Sequence, residues 1–235
     1  QSGFKTEVLV QEAEISAASM EWSLPALDNV IVLTSALLRS TAGDLSLTVG
    51  DKGKIEVLQT LPTSTSALEA FGSVFIARGR EYQGIFADAH VSAGPGVSVS
   101  GGGNQPRVTF QNPDVTASTG AITISASGQQ GVFELAEGLF SAPSISINYG
   151  GAESQVKVNL STMRSGNGAI LLVSGRGANA PLGLIEVTQS TLVSSSNISL
   201  FGSRNGNQGT VLVDASNIQG PGGVRLQTGT SGFTS

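Results

Sequence analysis

Cysteine is absent from the chain, so neither a disulfide nor a thiolate-held metal can brace it. Histidine occurs once, which leaves no cluster of His or Cys ligands for zinc. Charge is sparse as well, at 12% of 235 residues, with a formal net charge of −5 and a pI near 4.8. Nothing concentrates Lys and Arg on one stretch, so the basic footprint of a nucleic-acid binder is missing. No apolar run approaches the roughly 20 residues of a membrane-spanning helix, and membrane insertion is not expected. Helical periodicity is missing too. Apolar residues almost never recur at i, i+3 and i+4, and Gly and Ser interrupt every window.

What remains is rich in Gly, Ser, Thr, Asn and Gln, yet well supplied with Val, Ile and Leu. That is the reverse of a disordered composition. An anchor of two apolar residues at i and i+2, followed by a third at i+7, recurs from end to end. It occurs as Val8, Val10, Ile15; Val30, Val32, Leu37; Val108, Phe110, Val115; Phe133, Leu135, Phe140; Val156, Val158, Met163; Ile185, Val187, Leu192; and Val211, Val213, Ile218. Gly84, Phe86, Val91 lacks the first apolar residue, and Ile55, Val57 lacks a clear third. Successive anchors are 22 to 29 residues apart, about 25 on average, within the range of solenoid repeats.

Residues at i and i+2 of a strand share a face, and an odd step of five would reverse it, so the chain must bend before the third apolar residue. A second pair follows, as in Val97 and Val99, Ala169 and Leu171, Ile198 and Leu200, or Val224 and Leu226. A polar turn such as Asn205-Gly206-Asn207-Gln208-Gly209 then precedes the next anchor. One repeat is thus strand, corner, strand, turn. The expected fold is all-β: a right-handed parallel β-helix of about nine coils, one domain over residues 1–235, with a rod on the order of 40 Å long. Glycine and asparagine are expected to supply positive φ at its corners. Ser66-Ala67-Leu68-Glu69-Ala70-Phe71, with capping-box spacing between Ser66 and Glu69, predicts a short helix in a loop lengthening the third coil. No leader precedes Gln1 and no amphipathic cap closes either end, so the chain reads as a segment of a longer rod.

The stretches Gly120-Ala121-Ile122-Thr123-Ile124-Ser125-Ala126, Ser196-Asn197-Ile198-Ser199-Leu200 and Gly209-Thr210-Val211-Leu212-Val213-Asp214-Ala215-Ser216-Asn217-Ile218 carry an alternating phrasing. It resembles the haemagglutinin-type β-helix of bacterial filamentous adhesins, the exoproteins of two-partner secretion. The resemblance covers nearly the whole chain and rests on periodicity and composition. It implies a secreted or cell-surface protein, an outer-membrane transporter during secretion, and a host or neighbouring-cell receptor or glycan as partner. Lack of cysteine fits proteins that cross the periplasm unfolded. Asn112-Pro113-Asp114 only partly matches the family's Asn-Pro-Asn motif, and no role is carried onto it.

Parallel β-helices also host polysaccharide-processing enzymes, which need carboxylates paired across a cleft. The chain has no adjacent pair of acidic residues, and Asp88 and His90 at strand spacing read first as a solvated outer pair. No catalytic residue, metal ligand or cofactor is assigned, and the expected function is a non-enzymatic rigid stalk or adhesin segment, with a polysaccharide-processing β-helix enzyme or a self-assembling structural filament unit as the alternatives. The candidate binding residues lie in the repeats of 29: Arg78, Arg80 and Tyr82 in the first, Arg176 in the second. Both segments fall in the turn after the second strand, and Tyr and Arg are favoured contact residues.

Overall fold

The computed structural model describes residues 5–59, 66–103, 105–175, 182–203 and 208–228, with only the backbone of Arg78. The chain winds as a parallel β-solenoid of about eight turns, passing nine times through each of three sheets. Sheet A begins with Glu7–Gln11, Val30–Thr34 and Lys54–Leu58 and ends with Gly209–Asp214. Sheet B holds the short strands that follow, from Glu14–Ala17 to Asn217–Gln219. Sheet C runs from Met20–Leu24 to Val224–Thr228. The third apolar residue of each anchor therefore sits on a strand of its own, and each coil has three strands rather than two.

Inward side chains stack in columns because every strand pairs in parallel with its equivalent one coil away. Phe86, Phe110, Leu135, Val158, Val187 and Val213 form one column in sheet A. Val91, Val115, Phe140, Met163 and Leu192 form another in sheet B. The rings of Phe86 and Phe110 stack 4.6 Å apart, and Phe140 meets Phe110 edge-on at 5.8 Å. The columns merge into one core cluster, in which most members are fully buried. Each buried side chain contributes roughly 1.5–3 kcal/mol, and no coil could bury its own alone.

Two coils sit one residue out of the expected register. In the second, Ile31 and Leu33 point inward, paired with Val8 and Val10, while Val30 and Val32 face out. In the seventh, Ile170 and Leu172 are inward in place of Ala169 and Leu171. Both slips occur where four or more apolar residues run together, so alternation does not reveal the face.

Ser66–Ala70 is a strand of sheet B, not a helix. Leu68 lies inward between Leu38 and Val91, and is the third apolar residue missing after Ile55 and Val57. Glu69 is not capping a helix; it accepts from Arg39 at 2.8 Å across the strands. The packing of Leu68 outweighs a local helical preference worth only about tenths of a kcal/mol.

Left-handed corners recur in two columns, and mostly without glycine. Between sheets A and B they are Glu12, Ser35, Asp88, Asn112, Glu137, Leu160, Gln189 and Ala215; between C and A they are Asp28, Lys52, Glu81, Gln105, Gln130, Glu153 and Leu182. Each such residue costs about 1–3 kcal/mol locally. The conformation aims the amide at the next coil, as in Asn112 N–H to Ala136 O (2.8 Å) and Glu137 N–H to Asn159 O (2.9 Å). A buried serine file reinforces the A-to-B corner. Gly138 N–H donates to Ser161 Oγ (3.2 Å), Ser161 N–H to Ser190 Oγ (3.1 Å), and Ser190 N–H to Ser216 Oγ (3.1 Å).

Candidate functional site

Of the residues singled out in the sequence, the structure places the side chains of Tyr82 and Arg80. Tyr82 is fully buried, its ring lying against Gly84 where the neighbouring coils place Ile55 and Val108. It supplies the apolar bulk missing from that anchor and is core, not a surface contact. Arg80 is exposed, and its amide donates to Asp51 Oδ1 at 2.7 Å. Arg78 ends the sheet C strand Val74–Arg78. Arg176 lies outside the described residues.

The extra length of the third coil falls at 59–65, between the sheet A and sheet B strands. The corner carrying Arg80 is as short as the one at 50–53. The added residues of the eighth repeat, 176–181, lie outside the described residues.

His90 does not pair with Asp88. Its Nδ1 lies 3.1 Å from Asp114 Oδ2 in the next coil, while Asp88, turned at a left-handed corner, accepts from Asn112 Nδ2 at 2.7 Å. Other carboxylates also meet partners one coil away: Glu69 with Arg39, Glu134 with Arg107 (3.4 Å), and Glu186 with Lys157 (3.9 Å). The hydrogen bond from Arg39 to Glu69, and then the charge of that carboxylate, raise the arginine further above its usual range. Solvent screening leaves such pairs little weight in stability, but opposite charges facing across strands favour the native register along the rod. Among the described residues no three His, Cys, Asp or Glu side chains gather as a metal site. No helix there is long and apolar enough to cross a membrane.

A concavity of about 1030 Å³ lies along the outer face of sheet B and its corner with sheet C. Its shape follows from corner length. The sixth coil crosses from sheet B to sheet C with the single residue Pro143, and the fourth with Gly94-Pro95. The seventh uses four residues, 166–169, and the third presents Phe71, 73% exposed. The floor is a file of outward side chains, Ser92, Thr116, Ser141 and Arg164, in register one coil apart. Among the described residues no carboxylate lines this groove. Nothing in the sequence marks it, because its residues are small, common and separated by about 25 positions. Only the corner lengths, read after registering the coils, could have. Compared with known proteins, the chain matches no family model, no curated protein and no solved structure.

Proposed function

We propose that the chain is a rigid, non-enzymatic stalk or adhesin segment of a secreted or cell-surface bacterial fibrous protein of the filamentous-haemagglutinin kind. The observation that carries this reading is the in-register pairing of three sheets from first pass to last around one core cluster. Such a lattice resists bending and shear, because every coil is tied to the next by hydrogen bonds on three faces. Its regular faces and corners provide a frame on which a partner surface, a receptor or glycan, can be met. The rival reading, polysaccharide chemistry, needs two carboxylates facing each other across a groove. Here Glu69, Glu134 and Glu186 are dispersed along the rod, each beside a cation, and among the described residues the groove is lined without acids.

Two measurements on the whole chain test the proposal. Pulled from its ends, the chain should hold as a stiff rod and yield coil by coil, and beads coated with it should adhere to cell surfaces or glycan-coated slides. Incubated with a panel of neutral and acidic polysaccharides, it should release no new reducing ends or unsaturated sugars. Turnover that disappears in Asp114→Asn would replace the stalk reading with an enzymatic one centred on His90.

A further inference from the structure

We propose that the sheet B groove binds an oligosaccharide ending in a single carboxylate-bearing sugar, with Arg164 on the acid and Phe71 against the neutral end. This rests on the adhesin reading and names the chemistry of its partner.

The first reason is spare hydrogen-bonding capacity. Hydroxyls at the same corner are occupied by the fold: Ser165 Oγ donates to Pro143 O and Gly168 O, Ser118 Oγ to Ala93 O, and Thr119 Oγ1 to Gly94 O. The hydroxyls of Ser92, Thr116 and Ser141 have no hydrogen-bond partner among the described residues. They stand in a file at the coil spacing of about 4.8 Å. A ladder of free donors and acceptors at that spacing suits a chain of sugars, whose ring hydroxyls repeat along an extended polymer.

Charge then decides what kind of sugar chain. The protein carries 17 acidic against 12 basic residues, yet among the described residues no acid lines the groove and its one cation is Arg164. Glu69, which follows Ser92 in the outward file, is already held by Arg39. Arg39 and Arg107 are held in ion pairs with Glu69 and Glu134, whereas Arg164 has no ionic or hydrogen-bonding partner among the described residues. A guanidinium offers a planar fork that matches a carboxylate. One cation at one end, with neutral hydroxyls beyond it, fits one acidic sugar followed by neutral ones. A polyanion would leave most of its charges uncompensated. At the far end, four coil rises or about 19 Å away, Phe71 projects an aromatic face on which the C–H face of a pyranose can pack.

A peptide fits less well. The floor strands are paired on both edges, so no open edge remains for strand addition.

The test uses the full chain and two probes: a tetrasaccharide with one terminal carboxylate-bearing sugar, and the same tetrasaccharide with that carboxylate converted to the amide. Titration followed by NMR or calorimetry should show saturable binding of the acid, with the amide at least about tenfold weaker, as expected for loss of one charge-assisted hydrogen bond. Arg164→Gln should erase the difference between the probes, and Phe71→Ala should weaken both. Both side chains are exposed, so thermal unfolding of each variant should match the parent, which separates lost binding from lost fold. Equal affinity for acid and amide overturns the assignment. So does an acid preference that survives Arg164→Gln, or no saturable binding by either probe at millimolar concentrations. A sulfated polyanion that binds more tightly and ignores Arg164→Gln also overturns it, since the affinity would then be diffuse. Absence of binding with the sugars left intact sinks only the groove assignment. Cleavage of the probe would sink the stalk reading beneath it.

Discussion

Gly84 occupies a position where coils on either side place Ile55 and Val108, and a Cβ there would run into the Tyr82 ring. The two residues share one volume, a dependence that no hydropathy pattern reveals. Gly84→Val should therefore destabilise by about 1–3 kcal/mol through overpacking. Tyr82→Ala should cost about 3–5 kcal/mol by leaving a cavity. The double variant should cost at least about 1 kcal/mol less than the two together, since valine then fills part of the space the ring leaves. A double-mutant cycle from urea unfolding measures this; strict additivity would mean that the ring does not occupy the slot. Gly131 bears the same relation to Tyr149, whose ring meets Phe133 edge-on at 5.2 Å. Burial pushes the Tyr149 phenol up from its usual pKa of 10.0. A folded-state pKa raised above the unfolded value gives stability that is complete below about pH 10 and declines as pH rises beyond it. The melting temperature should fall above that pH, and Tyr149→Phe should flatten the fall while changing little at neutral pH.

At the scale of the element, corners do as much as strands to hold coils in register. Ser190 Oγ accepts the Ser161 amide and donates to Thr188 O at 2.7 Å inside a buried corner. Ser190→Ala fits the space, as Ala36 and Ala89 fit the equivalent corners, but it leaves the Ser161 amide without a partner. The expected loss is about 1–3 kcal/mol, against less than about 0.5 kcal/mol for Ser141→Ala on the groove floor. Equal effects in chemical denaturation would mean that the serine file does not hold the corners. The repeat, its nine passes and most inward positions were legible in the amino-acid sequence because Val, Ile and Phe alternate there with Ser, Thr and Gly. Where the alternation vanishes, as in Val30-Ile31-Val32-Leu33, the face was not legible. Ser66–Ala70 was misread because its capping spacing is local, whereas the partners of Leu68 and Glu69 lie in other coils. Tyr82 was misplaced for a related reason: residues near a turn read as exposed, and only the missing side chain of Gly84 signals the space it fills. The groove lay beyond sequence reasoning, since it depends on differences in corner length among coils that the repeat averages away.

Across the whole molecule, stability is a sum of coil terms and coil–coil interfaces, so the two outermost coils, each with one neighbour, are the weakest part. The burial pattern already grades this way. In the middle strand Ala121–Ala126, the inward Ile122 and Ile124 are sealed by a coil on either side. In the last coil the inward Val224 and Leu226 remain 45% and 51% exposed. Opening should therefore begin at the ends and move inward. In hydrogen exchange on this 235-residue chain, amides of Glu7–Gln11 and Val224–Thr228 should exchange through small local openings. Those of Arg107–Gln111 and Ala121–Ala126 should exchange only through the largest unfolding event. Substitutions should follow the same gradient. Phe110→Ala, in the stacked centre, should cost about 3–5 kcal/mol and lower the protection of every coil. Val213→Ala, only partly buried at one end, should cost less and affect chiefly the last coil. Uniform protection along the rod would show instead that the chain unfolds as one cooperative unit. Stability would then be set by the shared core as a whole rather than by each interface between neighbouring coils.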